Sequence, residues 1–80
     1  MKIVFSEHAL IRIRERKISK LEVYATIKNP QSKDETYRER ILLRRNFRSK
    51  ILEAVIRIEK KCIIVVSAYY LDRKIYESKI

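Results

Sequence analysis

The chain begins with a short apolar segment that is followed by a helical pattern. Residues 1–5 are mostly apolar and favour a strand. Ser6 is a residue type that caps helices, and Glu7 places a negative charge in the first helical turn, where it is favourable. The spacing predicts a helix from Ser6 to about Lys17. Three apolar residues are expected on its core side: Ala9, Leu10 and Ile13.

A second helix is predicted directly after the first. Ser19 and Glu22 have the spacing of a capping box, in which each residue satisfies a backbone N–H group at the helix start. Asn29-Pro30 ends the pattern, because proline disfavours helical backbone in the residue before it. Four residues of this helix are expected in the core: Leu21, Tyr24, Ala25 and Ile27.

The remainder of the chain has the pattern of a polar link and three strands. The polar residues 31–35 predict a loop. Residues 36–45 alternate apolar side chains with arginines, and residues 50–59 have one apolar face. Residues 62–71 are apolar on both faces, which is typical of a central strand.

The order of these elements predicts the fold. A strand, two helices and a three-strand meander indicate an α+β protein with the two N-terminal helices packed on an antiparallel meander sheet. Hairpin turns are expected at residues 46–49 and 60–61, and residues 72–80 form a short tail, helical or frayed. We therefore expect a single domain over residues 1–80.

The composition excludes several kinds of site. Of the 80 residues, 46% are hydrophobic, which is enough for one packed domain. Without glycine the chain has no phosphate-binding glycine loop, and one cysteine with one histidine makes neither a disulfide nor a Cys/His zinc site. No apolar run reaches the length of a bilayer span, and no signal peptide is visible. We expect a soluble, cytoplasmic protein with no membrane partner.

The net charge points to a polyanionic partner. Lysine and arginine total 20 against 10 acidic residues, which gives a formal charge of +10. Such an excess attracts and steers nucleic acid, although an acidic protein or an anionic membrane surface would be attracted as well. Adaptation to heat is another source of charged residues, but it enriches both signs and does not explain the imbalance.

Three basic residues recur at intervals of four in the first predicted helix. His8, Arg12 and Arg16 form a stripe at the border of the apolar side, where like charges repel one another. One interpretation is a solvated face with Glu7 and Glu15 as counterions. The other is a phosphate site with a titratable group at its edge.

A phosphate site of this kind could support cleavage of RNA. A neutral His8 can accept a proton near pH 7, and the forked guanidinium groups of Arg12 and Arg16 suit a phosphate. These groups suffice for attack of an RNA 2′-hydroxyl on the neighbouring phosphate, so no metal ion or other cofactor is expected. A proton donor is still needed for the leaving 5′-oxygen. Tyr69 and Tyr70 are candidates, and the alternative for both is an aromatic residue at the margin of a sheet.

A second basic segment lies in the predicted meander. We interpret it as a track for the nucleic-acid backbone, consisting of Arg38, Arg40, Arg44, Arg45, Arg48 and Lys50. Tyr37 and Phe47 could stack on bases beside it, although structural use is favoured for Tyr37 because it alternates with core residues.

Several of these residues together resemble a known family. The resemblance rests on Phe5-Ser6-Glu7-His8-Ala9, Arg12, Arg16, Ile18-Ser19, Val23, Asn29-Pro30 and Val65-Val66-Ser67-Ala68-Tyr69. This series is similar to a small prokaryotic domain-of-unknown-function family related to BrnT and, more distantly, to the RelE/ParE toxin superfamily. The resemblance implies a RelE-like fold and a ribonuclease toxin held inactive by an antitoxin. It also implies that His8, Arg12, Arg16 and Tyr69 belong to the site.

The leading hypothesis is a metal-independent endoribonuclease toxin of a type II toxin–antitoxin pair. Its partners would be RNA, including messenger RNA on the ribosome, and an antitoxin with an acidic or amphipathic segment that covers the basic site. A non-catalytic module that binds nucleic acid or protein is the alternative. A third hypothesis is a ParE-like inhibitor of a topoisomerase.

Overall fold

Two helices and five strands make up the part of the chain that the structure describes. A computed structural model describes residues 1–36 and 38–72. In chain order the elements are β1 (Lys2–Phe5), α1 (Glu7–Glu15), α2 (Lys20–Lys28), β2 (Ser32–Glu35), β3 (Ile41–Phe47), β4 (Lys50–Glu59) and β5 (Cys62–Asp72). Tyr37 and the predicted tail after Asp72 lie outside the described residues. No helix within the described ranges is long and apolar enough to cross a membrane.

The five strands form one mixed sheet in the order β1-β5-β4-β3-β2. Strand β1 pairs in parallel with β5, and the other neighbours are antiparallel. The prediction of a RelE-like antiparallel meander is therefore wrong. The hydrophobic pattern identified β1 as a strand, but a pattern of side chains does not reveal which strand it pairs with or in which direction. The described structure is a small α+β arrangement of two helices and a five-stranded mixed sheet.

Strand β2 was predicted as a loop, and that prediction is also wrong. Ser32–Glu35 has no apolar face, so its side chains give no strand signal. The segment is nevertheless an edge strand, since it pairs in register with β3 from Ser32–Arg44 to Glu35–Ile41. A strand with charged side chains is well suited to a sheet edge, where an apolar strand would invite aggregation.

Strand β3 begins five residues later than predicted, at Ile41 instead of residue 36. Arg38 and Glu39 have φ angles of 70° and 58°, which interrupt an extended backbone. The predicted strands in β4 and β5 are confirmed, with β5 one residue longer than expected. The first hairpin turn is shorter than the predicted residues 46–49, because β3 continues to Phe47 and leaves only residues 48–49 in the turn. The second turn lies at residues 60–61, as predicted.

The two predicted helix starts are confirmed by their caps. The Ser6 hydroxyl accepts a hydrogen bond from the Ala9 backbone N–H at 3.0 Å, and the Ser19 hydroxyl accepts one from the Glu22 N–H at 3.3 Å. Each bond satisfies a backbone donor that the helix itself leaves unpaired.

The core lies between the helices and one face of the sheet. Leu52, Ala54 and Ile56 of β4 face the helices, and Ala9 and Ile13 of α1 pack against that face. Helix α2 contributes Val23, Thr26 and Ile27, which recur at the three- and four-residue spacing of a helix face. Leu21, which was expected in this core, is 80% exposed. It lies on the other side of α2, because Val23 and Thr26 occupy the inner side.

A β-bulge in β5 decides which tyrosine faces the helices. Val55 pairs with Ser67, but the next residue of β4, Ile56, pairs with Val65, so Val66 is an extra residue. Beyond the bulge, Ala68 pairs with Ala54 and Tyr70 with Leu52, which places both on the helix side. Tyr69 pairs with Glu53 and lies on the opposite face of the sheet, which we call the open face.

Candidate nucleic-acid interface along α1 and β5

The predicted stripe runs along one side of α1. Successive residues of a helix are rotated by about 100°, so with Ala9 and Ile13 buried the stripe turns gradually towards the sheet. His8 is exposed and lies farthest from the core direction. Arg12 is next, with a side chain that is 43% exposed, and Arg16, the C-cap residue of α1, is nearest the sheet.

Arg16 reaches across the edge of β5. Its Nη1 atom donates a hydrogen bond of 2.9 Å to the carbonyl oxygen of Ala68, beyond Val65 where pairing with β1 ends. The guanidinium carbon lies 6.0 Å from the centre of the Tyr69 ring, within reach of a cation–π interaction. The structure therefore brings together two of the four residues predicted for the catalytic site.

The other two stripe residues do not share these contacts. Arg12 pairs with Glu15 at 3.1 Å, as the counterion interpretation expects. No hydrogen bond or ion pair joins His8 to another described residue. His8 and Arg12 thus lie on the same side of α1 as Arg16, and no described contact connects them to Tyr69.

Tyr69 is also the first member of a polar chain across the open face. Its hydroxyl donates a hydrogen bond to Oε2 of Glu53, and Oε1 of Glu53 accepts one from Nε of Arg44 at 2.6 Å. Nη1 of Arg44 then donates to Oδ2 of Asp34 at 2.5 Å. Glu53 is 4% exposed, so this carboxylate is buried. Its two partners, Tyr69 and Arg44, are partly buried. We call these four residues the Tyr69–Asp34 chain.

Sequence reasoning missed Glu53. The signal that could have found it is a single carboxylate inside the apolar β4 pattern, since a buried acidic side chain requires hydrogen-bond or charge partners. The pairing of Glu53 with Tyr69 on one side and Arg44 on the other supplies both.

The surroundings of Tyr69 raise the pKa of its phenol to about 12. Burial is the largest cause, followed by the hydrogen bond to Glu53 and the negative charge of that carboxylate. Arg44 and Arg16 lower the pKa, but their effect is smaller. At neutral pH the phenol keeps its proton and donates a hydrogen bond to Glu53.

Tyr70 is held separately on the helix side. Its hydroxyl donates to Oε1 of Glu22 in α2 at 2.7 Å, and the Lys50 ammonium lies 4.8 Å from its ring centre. Burial, then the hydrogen bond to Glu22, raises the pKa of this phenol as well. Tyr70 is therefore a link between the sheet and α2, away from the α1 stripe.

The six residues of the predicted basic track do not lie on one surface. Arg38 and Arg40 lie in the β2–β3 loop, and Arg48 and Lys50 lie at the β3–β4 turn, the opposite end of β3. Arg44 belongs to the Tyr69–Asp34 chain on the open face. Its neighbour Arg45 instead donates to the carbonyl oxygen of Asn29, at the end of α2, at 2.8 Å.

The predicted stacking residues have different outcomes. Phe47 is partly buried and packs against the core, which explains its aromatic side chain without a bound base. Tyr37 lies outside the described residues. Within the described ranges, no group of three or more His, Cys, Asp or Glu side chains is arranged to hold a metal ion.

A family model described as "Domain of unknown function (DUF4258)" matches residues 5–70. The chain belongs to this family. The matched region of the DUF4258 domain includes the whole α1 stripe, all of β2 to β4, and β5 as far as Tyr70. Searches of curated proteins and of solved structures found no significant match. Membership of a domain-of-unknown-function family is thus confirmed, while kinship with BrnT and the RelE/ParE toxins stays a prediction.

Proposed function

We propose that this DUF4258 domain is a metal-independent endoribonuclease that acts as the toxin of a type II toxin–antitoxin pair. The observation that carries the proposal is the position of Arg16, which joins the α1 stripe to Ala68 and Tyr69 of β5. His8 and Arg12 precede it on the same side of the helix, and the chain has a net charge of +10. The proposed site is therefore the edge between α1 and β5.

Phosphate binding is the first role of this edge. A guanidinium group has five N–H donors, and Ala68 accepts from one nitrogen of Arg16, so the group retains donors for a phosphate. Arg12 can exchange its exposed pair with Glu15 for a phosphate, because exposed ion pairs contribute little free energy. Both arginines also stabilise the negative charge that develops during phosphoryl transfer.

His8 is the proposed general base. Its imidazole takes the proton of the RNA 2′-hydroxyl, and the 2′-oxygen attacks the adjacent phosphorus. The bond from phosphorus to the 5′-oxygen breaks, and that oxygen takes a proton from solvent water. The hydroxide ion that remains accepts the proton held by His8, which restores the neutral imidazole. The products are a 2′,3′-cyclic phosphate and a 5′-hydroxyl end. With water as the proton donor, one base and two cations are enough for this reaction, so the scheme uses no metal ion.

Tyr69 has a positioning role in this scheme. A phenol with a pKa of about 12, whose proton is directed to Glu53, is poorly placed to protonate a leaving group. Its ring instead lies under the guanidinium of Arg16 and holds it at the edge of β5.

The proposed protein partner, an antitoxin, follows from the positive charge of the edge between α1 and β5. An antitoxin with an acidic or amphipathic segment would complement the basic edge and block access to it. Kinship with BrnT and the RelE/ParE toxins, and a place in the cytoplasm where messenger RNA is translated, belong to the same proposal. They are supported by the motif from Phe5 to Ala9 with Arg12 and Arg16.

The test is cleavage of a defined RNA by the purified protein in the presence of a chelator. We expect cleavage with 2′,3′-cyclic phosphate ends, and a loss of about 100-fold or more in rate for His8→Ala, the scale typical of a general base. Arg12→Ala should also lose most activity. Arg14→Ala is the matched control, since Arg14 is exposed on the far side of α1. The Arg14→Ala protein should cleave RNA at the parent rate.

Tyr69 variants test the positioning role. Tyr69→Phe keeps the ring under Arg16 and should retain most activity, whereas Tyr69→Ala removes the ring and should lose it. Equal cleavage by His8→Ala and the parent protein would contradict the assigned base. Loss of activity in Tyr69→Phe with normal folding would show that the hydroxyl, and not the ring, is needed.

A non-catalytic RNA-binding module is the second candidate. It is favoured by two observations. The Tyr69 phenol donates its hydrogen bond to Glu53, and Arg44 forms ion pairs with two carboxylates, so neither group is directed at a substrate. In that case the same experiment would show tight binding that weakens with salt, while the RNA remains intact after long incubation.

A further inference from the structure

Basic residues occupy most of the left-handed backbone positions in the described chain. In residues 1–36 and 38–72, six non-glycine residues have positive φ angles: Lys17, Arg38, Glu39, Arg48, Lys60 and Lys61. Glycine or asparagine is favoured at such positions, because other side chains bring Cβ close to the following carbonyl oxygen. Five of the six are lysine or arginine, so basic side chains stand where glycine or asparagine would be more stable.

The β4–β5 turn is the clearest case. Glu59 pairs with Cys62, so the hairpin loop consists of Lys60 and Lys61 alone. Their φ angles are 48° and 65°, and positive φ at both central residues is the requirement of a type I′ turn. Asn-Gly is the preferred sequence for that turn. Two lysines there destabilise the hairpin, and stability does not explain them.

The surroundings of the turn add further positive charge. Lys2 pairs with Cys62 across β1 and β5, which places it beside the turn. All three lysines are exposed, and none makes an ion pair with a described residue. The nearby carboxylate of Glu59 forms an exposed ion pair with Nε of Arg57 at 3.1 Å.

This cluster lies at one end of the edge that carries the proposed active site. Strand β1 starts at Lys2 beside Cys62, and α1 continues the same edge to Arg16 beside Ala68. The two ends are separated by six residues of β5, or about 20 Å at the usual rise of a strand. His8 and Arg12 lie between them in the chain.

We propose that Lys2, Lys60 and Lys61 form a second phosphate-binding site for RNA, remote from the phosphate that reacts. The site holds the RNA backbone along the β1–α1 edge and increases affinity for long strands. This inference rests on the proposed function, because it takes RNA as the substrate. It predicts that the positive charges of Lys60 and Lys61 increase the affinity for RNA and do not increase the stability of the folded protein.

The test uses the double variant Lys60→Asn/Lys61→Gly and a 20-nucleotide 2′-O-methyl RNA, which cannot be cleaved. We expect the melting temperature to rise, because the preferred turn sequence replaces two lysines. Affinity should fall by about tenfold or more at low salt. The slope of log K against log salt should decrease by about 0.7 for each lost phosphate contact. Cleavage of a dinucleotide, which is too short to reach the turn, should not change.

Two control variants separate a specific phosphate site at the turn from a general effect of net charge. Lys28→Asn/Lys33→Asn removes the same charge elsewhere and should weaken binding much less. Lys60→Arg/Lys61→Arg keeps the charge and should keep the affinity. Equal RNA binding by Lys60→Asn/Lys61→Gly and the Lys28/Lys33 control would overturn this site, even if dinucleotide cleavage supported the active site. Conversely, selective loss of binding in a protein that cleaves no RNA would retain this site and reject the nuclease.

Discussion

At the residue scale, two adjacent tyrosines show how an offset of one residue in a strand determines which contacts a side chain makes. Tyr69 and Tyr70 have the same side chain and both bind a carboxylate, Glu53 and Glu22 respectively. The bulge at Val66 sends Tyr69 to the open face beside Arg16 and Tyr70 to the helix side. Sequence reasoning can state that neighbours in a strand face opposite sides. It does not locate the bulge, and so it cannot say which tyrosine meets the stripe.

The raised pKa of Tyr69 gives a prediction at high pH. The native state holds the phenolic proton more tightly than the unfolded chain, whose pKa is the ordinary 10.0. The stabilising contribution is complete below pH 10 and is lost as the pH rises through about 12. We expect the absorbance of the native protein at 295 nm to show a tyrosine that ionises near pH 12 and is missing in Tyr69→Phe.

A pH series of unfolding free energies provides the control for this prediction. Wild type should lose more stability than Tyr69→Phe between pH 10 and 12, and the difference between them should be constant below pH 10. If Tyr69 ionises near pH 10 in the folded protein, the buried hydrogen bond to Glu53 is contradicted.

At the scale of elements, Arg44 connects three strands. It lies in β3, donates to Glu53 of β4, and donates to Asp34 of β2. Strand β2 has no apolar face of its own, so its position depends on backbone pairing and on this ion pair. The arginine predicted to bind nucleic acid therefore has a structural role that its place in a basic segment did not indicate.

Replacing Arg44 should be far more destabilising than replacing an exposed arginine. Arg44→Met leaves the Glu53 carboxylate buried with one charge partner removed, and breaking a buried pair in this way costs about 3 kcal/mol. Arg57→Met is the matched control in the adjacent strand, because the Arg57–Glu59 pair is exposed and should contribute less than about 1 kcal/mol. Urea unfolding of both variants measures the difference. Similar losses for the two would contradict the account of the Tyr69–Asp34 chain.

At the scale of the whole molecule, local signals and the hairpins that join β3, β4 and β5 were predictable, whereas the pairing of β1 and of β2 was not. The caps Ser6 and Ser19 and the apolar face of β4 follow from residue type and period, and the structure contains them. The parallel pairing of β1 with β5 joins segments that are distant along the chain. The polar strand β2 is held by backbone pairing with its neighbour β3, and its side chains have no apolar face. Side-chain patterns carry no information on such contacts, which is why the predicted sheet had the wrong topology.

The candidate site likewise has features that the sequence predicts and features that depend on how the strands pair. The α1 stripe follows from a four-residue spacing that the sequence displays directly. The meeting of Arg16 with Tyr69 requires the β5 edge to extend beyond β1, and the role of Glu53 requires the register of β4 and β5. The basic track failed to form one surface because Arg44 and Arg45, as neighbours in a strand, are directed to opposite faces.

The proposed RNA-binding surface is the edge formed by α1 and β5. Its most direct test is the set of amide chemical-shift changes in the ¹⁵N-labelled protein on titration with 2′-O-methyl RNA. We expect the largest changes at His8, Arg12, Arg16 and residues 67–69, with smaller changes at Lys60-Lys61. Changes confined to β2 or to the outer side of α2, or no change at an RNA concentration that saturates binding, would contradict it.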